Sequence, residues 1–170
     1  MNDVLRSVMV VLHDSPQGAL LREVQWAWPI FESLHFLGMS LLIGTIGLFD
    51  LRLLGFARGI PFAALHRLIP LGLAGFALNA VTGFCFLSAA PDQYLFNDAF
   101  RWKVVCMIAA GVNVLAFYGG VFRKLRALAP GAPPPLAARV AGGISLCAWT
   151  GVMSAGRLLT FFRPLGPPPL

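Results

Sequence analysis

The stretch WAWPIFESLHFLGMSLLIGTIGLFDLRLL, residues 26–54, is long and apolar enough to cross a lipid bilayer as a helix. It nevertheless carries Glu32 and His35 where a membrane-spanning helix would meet hydrocarbon. An ionisable side chain inside a bilayer is costly unless it has a partner or a function. Because Glu32 and His35 are three residues apart, they share one face of a helix, and the sequence predicts a polar site on this face.

The composition is that of an integral membrane protein. The chain has 170 residues, of which 58% are hydrophobic and only 12% are charged, whereas soluble domains carry about 25% charged residues. Its three cysteines show no CxxC or CxxCH spacing, which argues against a disulfide framework and a c-type heme. The net charge of +6 comes from basic residues beside the apolar segments, so it indicates membrane topology and no nucleic-acid partner.

We predict an all-α fold, namely an integral membrane four-helix bundle with an N-terminal interfacial amphipathic helix. Residues 1–25 form the interfacial segment, because Val4, Val8 and Val11 share one helix face. The bundle covers residues 26–163, with spans at about 27–49, 68–91, 104–122 and 136–162, and a proline-rich tail follows over 164–170. Two ladders of small residues predict close helix contacts: Gly75, Asn79 and Gly83 in the second span, and Gly143, Cys147, Gly151 and Ala155 in the fourth.

Basic residues at the ends of the spans predict the orientation. One side holds seven of them, Arg52, Arg58, Arg67, Arg123, Lys124, Arg126 and Arg139, and the other side holds six. Asp50, Arg52 and Arg58 mark the membrane interface on the first of these sides. Two of those six, Lys103 and Arg157, lie at or within helix ends and are not loop charges. The positive-inside rule then places both termini outside the cytoplasm of a bacterial inner membrane.

Counting residues along each helix predicts which polar side chains share a depth. With a rise of about 1.5 Å per residue, His35 lies about 10 Å below the interface marked by Trp28. Arg157 lies about 9 Å below the same interface. Lys103 is at the edge of this layer and Asn79 lies deeper. The predicted site therefore contains Glu32, His35, Asn79, Lys103 and Arg157, while His66 belongs to the opposite end of the bundle.

The favoured interpretation is a b-type heme protein or subunit that takes part in electron transfer. An imidazole on a membrane helix, here that of His35, is a common axial ligand of heme iron. Gly38, one turn away, would leave room for the flat macrocycle. Lys103 and Arg157 would pair with the propionates. Met39 lies on the same helix as His35, so the second axial ligand stays open.

Two alternatives remain. A copper site would use His35 and Met39 with Cys85 or Cys106, in line with the preference of copper for soft ligands. A cofactor-free structural subunit of a larger complex would instead pair Glu32 with Arg157 or Lys103, and His35 would hydrogen-bond to Asn79 or Thr82. The chain has no GxSxG motif or phosphate-binding loop, so any enzymatic activity would be that of a membrane oxidoreductase or its subunit. Beyond the bilayer, we expect other membrane subunits or a second copy of the chain as partners.

The pattern W-P-I-x-E-x-L-H-x-L-G, beginning at Trp28, continues to D-L-R-L-L-G, ending at Gly55, and A-G-R ends at Arg157. Together these motifs resemble a family of small bacterial four-helix membrane proteins of uncharacterised function. The motif L-H-x-L-G, together with Trp102-Lys103, also resembles HemJ-type protoporphyrinogen oxidases and CopD-like copper-resistance proteins. The HemJ resemblance implies that His35 serves heme b and that Lys103 is required for function. Asn113 stands about where those proteins often carry another histidine.

Overall fold

The computed structural model describes residues 3–126, 128 and 131–162. Within these ranges the regular structure is helical throughout. The helices are α1 Asp3–His13, α2 Pro16–Glu23, α3 Ala27–Leu54, α4 Phe62–His66, α5 Ile69–Ala89, α6 Pro91–Leu95, α7 Asp98–Ala116, α8 Phe122–Arg126 and α9 Leu136–Leu158, with a π-helical turn Phe117–Val121 joining α7 to α8.

Four stretches are long and apolar enough to cross a membrane: Ala27–Leu54, Phe62–Ala89, Asp98–Arg126 and Leu136–Leu158. The all-α prediction with four such helices is therefore confirmed. The first helix ends at Leu54, whereas the sequence predicted an end at residue 49. Asp50 and Arg52 are therefore part of the helix. The predicted tail over 164–170 lies outside the described residues.

Local sequence signals explain where several helices begin and end. Ser15 caps α2 by accepting a hydrogen bond from the Gly18 N–H, and Pro16 occupies the first turn. Gly55 ends α3 in the left-handed conformation, with φ of 101°. The Asn97 side chain caps α7 by accepting from the Ala99 N–H.

The long helix α3 lies at the centre of the packing. It packs against α5 on one side and α9 on the other, and α7 packs against α9. The described parts of α5 and α7 do not pack closely against each other. The rings of Phe76 and Trp149 meet edge to face at 6.1 Å and connect α5 to α9.

Glycines bring α3 and α5 into backbone contact, as the first small-residue ladder predicted for Gly75. A Cβ at Gly75 would lie 2.6 Å from the Gly38 carbonyl oxygen, and a Cβ at Gly38 would lie 2.9 Å from the Gly75 carbonyl oxygen. Neither position has room for a side chain. These contacts set the rotation of α3 relative to α5.

The second ladder is found only in part on the packed faces of α9. The buried face is Ala138, Ala141, Gly142, Ser145, Ala148, Val152 and Ala155. Gly142 instead of Gly143 receives α3, since a Cβ there would lie 2.9 Å from the Asp50 carbonyl oxygen. Of the predicted ladder, Ala155 is buried and Gly151 contacts α7, whereas Cys147 is exposed.

The N-terminal helices pack on one end of α5. Met9 of α1 and Leu21 of α2 are buried, and a Cβ at Gly18 would lie 2.8 Å from the Ser88 carbonyl oxygen. Val4 and Val11 remain 75% and 71% exposed, so α1 has an outward apolar face. We call the end of the bundle where α1 and α2 pack and α3 begins the Trp28 end. The opposite end, where α3 ends, is the Arg52 end.

Candidate functional site

His35 is half-buried on α3 and bonds to α5. Its Nδ1 lies 2.7 Å from the Thr82 hydroxyl oxygen, and that hydroxyl also lies 2.7 Å from the Leu78 carbonyl oxygen. A threonine hydroxyl has a single proton, which it donates to the Leu78 carbonyl. The Thr82 oxygen therefore accepts from His35 Nδ1–H, and we assign the lone pair of the imidazole to Nε2. Of the two partners predicted for His35, Thr82 is the one found.

Aromatic and small residues surround the imidazole. The Phe86 ring meets the His35 ring edge to face at 5.6 Å, and Trp28 packs on Phe86 at 5.1 Å. A Cβ at Gly83 would lie 3.6 Å from His35 Cε1, which is ordinary van der Waals contact. The ring is therefore held by packing as well as by its hydrogen bond.

Lys103 reaches the same region from α7. It lies near enough for its charge to act on His35, and its Nζ lies 3.8 Å from where a Cβ on Gly156 would be. Lys103 is half-buried, and among the described residues it has no hydrogen-bond or ion-pair partner. A cation at this position is suited to bind an anionic group.

Asn79 takes part in the helix crossing. Its Nδ2 donates to the Gly75 carbonyl at 3.0 Å and would lie 2.5 Å from a Cβ at Gly38. The expectation that Gly38 leaves room for a macrocycle is wrong, because α5 fills that space. A heme at His35 would have to lie on the side away from Gly38.

Glu32 and Arg157 are exposed and stay apart from this group. Arg157 stacks its guanidinium on Phe161 at 5.5 Å. The described chain contains no ion pair joining Glu32 to Arg157 or Lys103. Glu32 instead lies near Tyr94 on α6, where burial, and then the Glu32 charge, raise the pKa of the Tyr94 phenol. The structure thus brings together His35, Thr82 and Lys103, with Asn79 alongside.

Within the described ranges, no group of three or more His, Cys, Asp or Glu side chains could hold a metal ion. Cys85 packs in an apolar cluster with Leu21, Phe86 and Ala89. The Cys106 sulfur lies 2.7 Å from where a Cβ on Gly151 would be. Both thiols proposed as copper ligands are thus engaged in helix packing.

The sequence treated Asp50 and Arg52 as interface markers, whereas both are buried, with 4% and 2% exposure. Arg52 donates to the carbonyls of Ile60 and Arg58 at 2.9 and 3.3 Å and covers the Phe62 ring at 4.0 Å. Gly55, a typical residue beyond a helix C-terminus, was the available signal that both lie within α3. His66, at the same end, bonds to the Tyr118 hydroxyl at 3.1 Å.

Comparison of the chain with family models, curated proteins and solved structures found no match. The resemblances drawn from the motifs stay expectations.

Proposed function

We propose that the protein is a membrane-embedded electron-transfer protein or subunit that binds heme b through His35. The observation that carries the proposal is the chain of hydrogen bonds from His35 Nδ1 through Thr82 to the Leu78 carbonyl. Histidines that bind metals commonly donate their second ring N–H in this way, which fixes the tautomer and the ring orientation. Here the arrangement leaves Nε2 available to bind iron.

Heme fits the available ligands better than copper does. A bare metal ion needs three or four protein ligands, and the described His, Cys, Asp and Glu side chains offer no group of three. A porphyrin contributes four nitrogens, so His35 alone is sufficient to attach it. When bound, heme would supply an iron centre that accepts and donates one electron.

Lys103 supports the same proposal. The ammonium group of Lys103 would bind a propionate carboxylate, which gains from a charge-assisted hydrogen bond. Glu32 and Arg157 are exposed, and in this proposal they do not contact the ligand.

A cofactor-free structural role is the second candidate. It is supported by the hydrogen bond that His35 already makes to Thr82 and by the close packing at Gly38. In that case the polar groups only join α3 to α5, and the chain acts as a subunit of a larger assembly. The open apolar groove lined by Val105, Ala109, Gly143 and Cys147 is where another subunit would contact α7 and α9.

We also propose insertion in a bacterial inner membrane with both termini outside the cytoplasm. The support is the excess of Lys and Arg at the Arg52 end and the Trp residues at the other end. The exposed face of α1, with Val4 and Val11, would then lie in the lipid headgroup region. Reporter fusions at either terminus test this, and activity of a cytoplasmic reporter there would contradict it.

Heme binding is tested by absorption spectroscopy. The protein is purified in mild detergent from membranes that also contain its partner subunits. We expect a Soret band that shifts on dithionite reduction and is lost in His35→Ala. His66→Ala is the matched control, because His66 lies at the Arg52 end, and it should keep the band. Equal bands in both variants, or no heme in the wild-type protein, would leave the structural role.

Thr82 variants test the hydrogen bond that carries the proposal. Thr82→Val removes the partner of Nδ1, and loss of such a partner typically weakens metal binding about 10–100-fold. Thr82→Ser keeps the hydroxyl and should retain heme at the wild-type level. If Thr82→Val binds heme as tightly as Thr82→Ser does, the tautomer argument is wrong.

A further inference from the structure

A second polar site lies at the Arg52 end, around Asp50. Asp50 is on α3, one turn before the helix ends at Leu54, and is 4% exposed. The Ser145 hydroxyl of α9 faces its carboxyl group. One of the two carboxyl oxygens, Oδ2, is buried and has no hydrogen-bond partner among the described residues.

No cation neutralises Asp50 in the described part of the chain. Arg52 directs its guanidinium to the Ile60 and Arg58 carbonyls and to the Phe62 ring. The basic residues of the packed helix α9, Arg139 and Arg157, are exposed. The groups that face Asp50 from α9 are Gly142 at its backbone and Ser145 at its carboxyl.

A buried carboxylate without a counter-ion is very unfavourable, and an unpaired oxygen adds to that cost. Addition of one proton removes the net charge and turns one oxygen into a hydrogen-bond donor. We propose that Asp50 carries a proton at neutral pH and is a proton-binding site at the Arg52 end of the bundle. This site is separate from His35 and does not depend on heme.

Arg52 lies two residues after Asp50 on α3, so the two side chains point to different sides of the helix. Its two hydrogen bonds hold the loop between α3 and α4 against the end of α3. Ionisable residues buried within long apolar helices are typical of functional sites in membranes.

Infrared spectroscopy of the full chain in lipid nanodiscs at neutral pH tests the protonation. We expect a carbonyl-stretch band of a carboxylic acid that is lost in Asp50→Asn. Asp14→Asn and Glu32→Gln are controls, because both acids are exposed, and the band should persist in each. Ser145→Ala should shift the band to higher frequency, since it removes a hydrogen bond.

A band that persists in Asp50→Asn, or no acid band in the wild-type protein, would overturn the proposal. If Asp50→Asn does not fold, Ser145→Ala decides the question, because an unshifted band contradicts the assignment.

Discussion

Gly75→Ala tests whether the backbone contact between α3 and α5 holds the fold together. The new Cβ would lie 2.6 Å from the Gly38 carbonyl oxygen, 2.8 Å from the Leu42 amide nitrogen and 2.9 Å from Leu41 Cβ. The first two are backbone atoms, which cannot rotate away. The helices must therefore separate by several tenths of an ångström, and overpacking of this kind costs about 1–3 kcal/mol.

Alanine also favours helix over glycine by up to about 1 kcal/mol, which offsets part of the cost. We expect a net loss of about 1–2 kcal/mol, equivalent to a fall in Tm of roughly 2–8 °C for a chain of this size. Thermal unfolding in detergent, followed by circular dichroism, measures it. Gly44→Ala on α3 is the control, since nothing lies within 4 Å of its new Cβ. If Gly75→Ala melts at or above the temperature of Gly44→Ala, the helices do not cross as described.

Two further predictions concern the Trp28 end. Asn97→Ala removes both the cap on the Ala99 N–H and the bond to the Leu159 carbonyl, at 2.9 and 3.1 Å. It should therefore lower the free energy of unfolding by about 1–3 kcal/mol, whereas Asp98→Asn, at an exposed position, should have little effect in the same denaturation assay. Glu32→Gln removes a negative charge beside Tyr94 and should lower the pKa of that phenol towards its ordinary value, although burial, the larger cause, still keeps it raised. Tyrosinate absorbance in a Tyr118→Phe background isolates Tyr94, because the chain has two tyrosines; an unchanged titration would show that Glu32 and Tyr94 are not neighbours.

The sequence by itself determined the number of long helices and the presence of His35 within one of them. These properties are local, because a run of about 20 apolar residues is long enough to span hydrocarbon whatever surrounds it. It also predicted the close contact at Gly75 and offered Thr82 as one of two partners for His35. The first depended on spacing along one helix, and the second on the depth of each residue counted along its own helix.

Only the tertiary structure decided which way each polar side chain points. Counting residues gives the height of a side chain along its helix, but the rotation of that helix about its axis is set by packing against its neighbours. The contact between Gly38 and Gly75 turns His35 towards Thr82, whereas Glu32 and Arg157 remain exposed. Packing of Gly142 on the Asp50 backbone buries a carboxyl that the sequence had placed at the membrane surface. Counting residues therefore predicted the height of each polar side chain along its helix. The partners of most polar groups depended on the rotation of the helices.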